Sequence, residues 1–180
     1  MVSEARAAHP PGQGKQIKVN SVKKSAGELS QVVNAVLFCP DDLNMIKEGA
    51  AVRRRLMDNA ISQIRPRYAQ YLTEFNRLYE HKTRILRDSE ERPDLLAALP
   101  DFNEQMVRFG AVLIHYRAQF AQALGKYAAV HHRECSGGRE ELELGYETVS
   151  TVTDPLAQPR VILEELLEHQ QSHRRAELEA

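Results

Sequence analysis

An alternating pattern of apolar and polar residues near the start of the chain predicts β-structure. Ile17 and Val19 alternate with polar neighbours across residues 16–22, which is typical of a half-buried strand. Asn20 and Ser21 are turn-forming residues, although Asn-Ser is a weaker hairpin signal than Asn-Gly. The pattern indicates a strand that can turn back at these two residues.

Two later segments also have strand-like patterns. Residues 32–38 (VVNAVLF) are a short apolar run rich in β-branched residues, which predicts a strand buried on both faces. Residues 140–149 alternate Leu142, Leu144 and Tyr146 with charged neighbours, which predicts an exposed strand.

Helical periodicity governs most of the remaining chain. Pro40 suits the first position of a short helix, because the N–H group that proline lacks is not needed there. Apolar residues at helical spacing predict a helix within residues 52–64 and a last amphipathic helix over residues 161–180.

Two longer helices carry continuous apolar stripes. The first opens at Pro66, and the second spans residues 102–130 at close to heptad spacing. Pro93 and Pro100 bracket the connector between them. Because two long stripes joined by a short connector bury each other, we expect an antiparallel helix pair whose aromatic residues form a core rather than a base-stacking surface.

Composition narrows the class of protein. The chain has 180 residues, 42% of them hydrophobic, which suffices for a core of its own. Cys39 and Cys135 lie far apart and make no disulfide framework, which is typical of a reducing compartment. No apolar stretch approaches 18 residues and no signal-peptide core is visible, so we expect a cytoplasmic protein that does not span a membrane.

The formal net charge of −1 conceals an uneven distribution. Residues 15–87 hold 14 basic and 7 acidic residues, a local net charge of +7, and the remainder carries −8. Near-neutrality therefore does not exclude a basic face for an anionic partner. Ordinary solvated helix faces are the simpler explanation, and charge alone favours them.

No catalytic or metal site is predicted. Residues 12–15 (GQGK) invite comparison with a phosphate-binding loop, but His9 replaces its first glycine and Gln16 replaces its Ser or Thr. His169 and His173 are four residues apart on a predicted helix and lack a third ligand, so a solvated face is the favoured interpretation.

Residues 40–58 form a more specific motif. They read PDDLNMIKEGAAVRRRLMD and directly follow Leu37-Phe38. This segment resembles the signature of the RecF family of bacterial DNA replication and repair proteins, which has Leu-Phe-x-Pro, two acids and Leu, a small-residue turn, an arginine run and an Asp. Leu56 replaces a usual aromatic residue, and Ser21 replaces a usual turn glycine.

The resemblance extends over residues 15–180. Its further motifs are KQIKVN at 15–20, RPRY at 65–68, NRLYEHKT at 76–83, SGGREEL at 136–142 and HRRAELE at 173–179.

This resemblance implies a mainly α (α+β) fold that belongs to an ATPase head of the ABC and SMC type. Residues 15–38 would be a hairpin and strand remnant of the α/β lobe I. Residues 39–180 would form the helical lobe II, with the long antiparallel helix pair and one exposed strand near 140–149. Residues 1–14 would be a disordered or incomplete entry segment.

The resemblance also implies that parts of the ATPase lie outside this chain. The phosphate-binding loop would precede it, and the ABC signature and the second acidic motif would follow Ala180. We therefore expect a fragment that holds no cofactor and does not hydrolyse ATP by itself. The full-length relative would be a weak ABC-type ATPase that uses ATP and Mg²⁺.

For the whole protein, the resemblance implies binding of single-stranded or gapped duplex DNA without sequence specificity. It further implies an ATP-dependent homodimer, a RecR-type mediator as partner, and recombinase loading at gaps in recombinational repair and the SOS response. An alternative that remains open is a helical protein–protein interaction module without a nucleic-acid role, supported by the regular stripe over residues 102–130.

Basic residues around the signature are the candidates for phosphate contacts: Arg53, Arg54, Arg55, Arg65, Arg67, Lys23 and Lys24. At least one arginine of the run is also expected to pair with a local acid such as Asp58. Asp41 and Asp42 would lie at the lobe junction and sense nucleotide. Stabilisation of a helix N-terminus by these carboxylates explains them equally well.

Overall fold

The structure is a computed structural model. It describes residues 5–8, 16–25, 28, 34–37 and 39–178. The chain divides into two compact units, Met1–Pro66 and Arg67–Ala180. Helices dominate and one small antiparallel sheet accompanies them, so the predicted mainly α fold is confirmed.

The elements of the described residues follow one another in a simple order. The strands are β1 (Ala5–Ala8), β2 (Gln16–Val19) and β3 (Val22–Lys24). The α-helices are α1 (Ala50–Ile64), α2 (Pro66–Asp88), α3 (Leu99–Cys135) and α4 (Pro159–Leu178). Two 3-10 helices cover Pro40–Ile46 and Pro93–Ala98.

Strands β2 and β3 form the hairpin that the alternating pattern indicates. Asn20 and Ser21 both have positive φ, 49° and 69°, as a type I′ turn requires. Ile17 and Val19 are buried, each 7% exposed, and β1 pairs antiparallel on the other side of β2. The predicted turn is therefore confirmed even though it lacks a glycine.

The predicted strand over residues 32–38 is not found in its described part. Residues 34–37 have no regular secondary structure, and Val36 and Leu37 are 99% and 88% exposed. A strand buried on both faces needs a strand on each side and a layer above and below it. The described sheet consists of β1, β2 and β3 and supplies neither to this segment.

Helices α2 and α3 form the expected antiparallel pair. Tyr68 packs edge-on against Tyr116 with ring centroids 5.7 Å apart, and His81 lies 6.0 Å from Phe102. Partners thus descend along α3 as residues ascend along α2, which defines antiparallel packing. Tyr68 is fully buried, whereas Tyr79 and Tyr127 of the same two stripes are 58% and 70% exposed, so the predicted aromatic core is confirmed for only part of each stripe.

Helix α4 and the loop before it complete the core of the second unit. The buried cluster joins residues of α3, the loop and α4: Val107, Ala111, Ile114, Val152, Ile162 and Leu166. His115 Nδ1 lies 2.7 Å from the carbonyl oxygen of Ala157, and Glu165 accepts a hydrogen bond from the Thr153 hydroxyl. These bonds fasten the loop to both helices.

The predicted strand at residues 140–149 is also wrong. Gly137 and Gly138 have positive φ, 65° and 76°, and end α3 as the sequence suggests. The chain then has no regular secondary structure through residue 149. It packs on α3 instead of on a strand. The contact is close at Gly125 of α3, where an added Cβ would lie only 3.2 Å from Leu144 Cβ.

Candidate nucleic-acid interface

Arg53 has a structural partner inside its own unit. Its Nη1 group donates hydrogen bonds to the carbonyl oxygens of Glu48, at 2.7 Å, and Met45, at 3.4 Å. The Met45 carbonyl lies in the last turn of the first 3-10 helix and the Glu48 carbonyl in the turn that follows it, where helical partners are missing. Arg53 therefore ties that helix to the start of α1, and it does so through backbone oxygens rather than through an acid.

Lys24 is also engaged, by an acid four residues along the chain. Its Nζ lies 2.8 Å from Glu28 Oε1, while the other Glu28 oxygen accepts from the backbone N–H and the hydroxyl of Ser25. Hydrogen bonds lower the pKa of Glu28 from 4.5 to about 2; the bond from Lys24 has the largest effect, followed by those from Ser25. Ser25 and Glu28 have the reciprocal arrangement of a capping box, since Glu28 N–H also donates to the Ser25 hydroxyl.

The other predicted phosphate contacts are exposed and make no hydrogen bond through their side chains, and no ion pair, with any residue that the structure describes. They are Lys23, Arg54, Arg55, Arg65 and Arg67. Arg54 and Arg55 lie in the first half of α1, and Arg65 follows its last residue. Arg67 belongs to the second unit. Guanidinium groups without an internal partner keep all their donors for a phosphate.

Sequence reasoning missed Lys18. The hairpin register places it directly opposite Lys23, and both side chains are exposed. Like charges at directly opposed positions of a sheet destabilise it, so an anion at this face would relieve the repulsion. The Asn20-Ser21 turn was the signal that would have revealed this pair, because a two-residue turn determines the register.

Asp42 caps the first 3-10 helix. Its Oδ2 accepts a hydrogen bond of 2.7 Å from the Cys39 N–H, and its own N–H donates to the Cys39 carbonyl. The bond from Cys39 lowers the pKa of Asp42. This geometry accounts for the carboxylate without a ligand. The side chain of Asp41 lies outside the described part, and nucleotide sensing by either residue stays a prediction.

The remaining candidate sites, a phosphate-binding loop and a metal site, are not seen in the described residues. Residues 12–15 lie outside them, as does the side chain of His173. His132 lies 3.5 Å from Glu140, a pair at the end of α3 that no prediction invoked. Within the described ranges, no group of three His, Cys, Asp or Glu residues is placed to hold a metal ion. None of the helices described is both long and apolar enough to cross a membrane.

Comparison with known proteins gives a consistent set of relatives. No family model matches the chain. It is 33% identical over 141 residues to the DNA replication and repair protein RecF of Clostridium perfringens strain 13, covering 78% of the chain and 38% of that protein. The corresponding proteins of Agathobacter rectalis and Bacillus subtilis strain 168 are 37% and 34% identical, over 74% and 80% of the chain. The chain spans about two fifths of the length of these curated relatives.

Solved structures agree with the sequence relatives. The fold matches a structure of the recombination mediator protein RecF-ATPrS in the RecFOR pathway, with a TM-score of 0.82 and 27% identity. A structure of RecF-ATP in the same pathway matches with a TM-score of 0.78 and 28% identity. Both alignments cover 98% of this chain and 47% of the solved one.

Proposed function

Because the chain belongs to the RecF family over the region that it shares with these relatives, we propose that it serves DNA replication and repair by binding DNA through phosphate contacts. The proposed ligand is single-stranded or gapped duplex DNA, bound without sequence specificity. Contacts to phosphate position a protein on DNA and carry no base information, which suits a protein that acts at gaps of any sequence.

The observation that carries the proposal is the division within the arginine run. Arg53 binds backbone carbonyls, whereas Arg54 and Arg55 are exposed and have no partner in the described part of the chain. Arg65 adds a third exposed guanidinium in the same unit. An arginine without an internal partner breaks no internal hydrogen bond when it binds phosphate. We therefore expect the affinity for DNA to depend on these residues.

A salt titration tests the assignment. Binding of the purified 180-residue protein to a fluorescent gapped duplex is measured by anisotropy between low and moderate salt. In Arg54→Gln/Arg55→Gln, we expect at least tenfold weaker binding at low salt. The slope of log K against log salt should become shallower by about 2, because two phosphate contacts release roughly 0.9 counterion each.

The matched control also removes two positive charges, at arginines outside the proposed interface. Arg92 and Arg160 lie beside Asp94 and Glu164, so Arg92→Gln/Arg160→Gln should leave the slope unchanged. Arg53→Gln is kept separate, because it breaks the bonds to Glu48 and Met45 and would confuse folding with binding. An unchanged slope in Arg54→Gln/Arg55→Gln, with a wild-type circular dichroism spectrum, would refute the assignment.

The wider activity of the whole protein belongs to the same proposal. We infer an ABC-type ATPase head with ATP and Mg²⁺, an ATP-dependent homodimer, and work with a RecR-type mediator that loads recombinase at gaps in the cytoplasm. Family membership supports these inferences, since one relative is named as a DNA replication and repair protein and a matching solved structure is described as RecF-ATP in the RecFOR pathway. In that whole protein, Asp41 and Asp42 are the residues proposed to respond to bound nucleotide.

A helical interaction module remains the second candidate, and one observation favours it. Phe102 and Tyr116 of the long stripe pack on α2, but Tyr127 and Val130 near the end of α3 are 70% and 56% exposed. Neighbouring exposed apolar residues are typical of contact surfaces, and these two lie three residues apart on one helix face. Absence of DNA binding at any salt concentration, with the protein folded, would favour this module over the DNA-binding protein.

A further inference from the structure

A row of basic residues crosses the three-stranded sheet. Lys18 of β2 pairs with Lys23 of β3 on one side and with Arg6 of β1 on the other, so the three positions share one row. Successive residues of a strand point to opposite faces, and Ile17 and Val19 on either side of Lys18 are buried. Lys18 and Lys23, which are both exposed, therefore belong to the outer face of the sheet.

No acid within the sheet offsets the charge of this outer face. Strands β1, β2 and β3 contain no acidic residue. On the other face Lys24 has Glu28 at 2.8 Å, whereas Lys18 and Lys23 make no ion pair and no side-chain hydrogen bond with any residue that the structure describes. Each of their ammonium groups thus keeps its N–H donors for an acceptor from outside the sheet.

The turn of the hairpin holds these two lysines close together. Val19 and Val22 flank the two-residue turn and form a hydrogen-bonded pair, so the next pair, Lys18 and Lys23, is of the non-hydrogen-bonded kind. In such a pair the Cα atoms lie about 4.5 Å apart and the side chains are near neighbours. Like charges at opposed positions lower the stability of a sheet. The folded hairpin therefore favours an anion that can contact both ammonium groups at once.

The phosphate backbone of a nucleic-acid strand fits this arrangement. A phosphate group is a strong acceptor for charged N–H donors, and its neighbours along the strand can contact further basic positions of the same row. We propose that the outer face of the sheet binds a nucleic-acid strand, with one phosphate group between Lys18 and Lys23. This site rests on the proposed DNA binding and is separate from Arg54 and Arg55 of α1.

Amide exchange in the hairpin of the whole 180-residue protein tests the site. The probe is a single-stranded deoxythymidine 12-mer at low salt. Because a bound phosphate removes the repulsion between the two lysines, we expect the amides of β2 and β3 to exchange at least threefold more slowly at a saturating concentration of the 12-mer. Unchanged exchange in the hairpin, while fluorescence anisotropy shows the 12-mer bound, would overturn the site. Absence of binding altogether would refute the proposed DNA binding itself.

A salt titration with the same 12-mer counts the contacts. In Lys18→Gln/Lys23→Gln, the slope of log K against log salt should become shallower by about 1.4, because each contact to a single strand releases roughly 0.7 counterion. The matched control is Lys47→Gln/Lys126→Gln, which removes two exposed lysines outside the sheet and should leave the slope unchanged. Equal slopes in the two double variants would contradict the assignment.

A single charge reversal separates binding from folding. Lys23→Glu replaces a like-charge pair by an opposite-charge pair, so the hairpin amides of the free protein should exchange more slowly than in wild type. The same variant should bind the 12-mer at least fivefold more weakly, and the 12-mer should no longer slow hairpin exchange. Lys126→Glu makes the same charge change on α3 and should weaken binding by less than twofold. Wild-type affinity in Lys23→Glu would overturn the site.

Inorganic tripolyphosphate distinguishes a nucleic-acid strand from a free phosphate compound. At equal phosphate concentration it should slow hairpin exchange less than the 12-mer does, because a strand also reaches the neighbouring basic positions. Equal or stronger slowing by tripolyphosphate would refute a nucleic-acid ligand. In Arg54→Gln/Arg55→Gln, saturating 12-mer should still slow exchange in the hairpin. Loss of the α1 contacts can therefore be told apart from loss of the sheet site.

Discussion

Two regions of this chain share one alternating pattern and adopt different structures. Residues 16–24 become a hairpin with a buried face, whereas residues 140–149 have no regular secondary structure and no partner strand among the described residues. In the hairpin, Ile17 is 7% exposed, while Leu144 at a comparable position of the later segment is 40% exposed.

The difference shows that an alternating pattern specifies which face of a segment is apolar, but not whether the segment joins a sheet. A strand becomes regular only when a second strand accepts its hydrogen bonds. Near the N-terminus a two-residue turn brings that second strand back within a few residues. After Gly138 the chain instead follows α3, and no strand of the described chain lies beside it.

The largest expected effect comes from removing an apolar side chain from each region. Ile17→Ala should lower the free energy of unfolding of its unit by about 2–4 kcal/mol, because a buried side chain leaves a cavity. Leu144→Ala should cost less than about 1 kcal/mol, because much of Leu144 is already in water. Amide exchange across a denaturant series measures each unit separately, and equal losses would contradict the comparison.

A smaller effect is expected at the turn. Ser21 has a φ of 69°, which costs a residue with a Cβ but not glycine. Ser21→Gly should therefore stabilise the hairpin by about 0.5–1 kcal/mol, and Ser21→Val should destabilise it by a similar amount or more. Gly145→Ala is the matched control in the later segment. Its φ is not positive and its surroundings are open, so we expect a change within about 0.5 kcal/mol.

The smallest effect concerns the acid that holds the end of the hairpin. Lys24 and Ser25 lower the pKa of Glu28 from 4.5 to about 2, so its contribution is complete above pH 4.5 and disappears as the pH falls towards 2. Glu28→Gln should therefore be slightly less stable than wild type at neutral pH and equal to it near pH 2. Glu141→Gln has no such bond to lose and should follow wild type at every pH. Urea denaturation across this pH range measures both differences.

The arginine run shows how far sequence alone could locate the candidate site. The motif identified Arg53, Arg54 and Arg55 together, and their exposure on a helix was predictable. Which of the three has a structural role was not predictable, because the answer depends on the carbonyl oxygens of Met45 and Glu48, in and just after the first 3-10 helix. A hydrogen bond to backbone carries no residue-type signal, whereas an ion pair with an acid such as Asp58 does.

Local sequence features by themselves determined where several helices begin and end and how the two long helices pair. Prolines set the starts of the first 3-10 helix and of α2, glycines ended α3, and the apolar stripes specified an antiparallel helix pair. These features depend on neighbours a few residues away or on one continuous face. Tertiary structure decided which strand-like segments find a partner strand and which arginine of the run is bonded to the backbone. Those outcomes depend on groups that meet only after the chain has folded, so no pattern along the sequence records them.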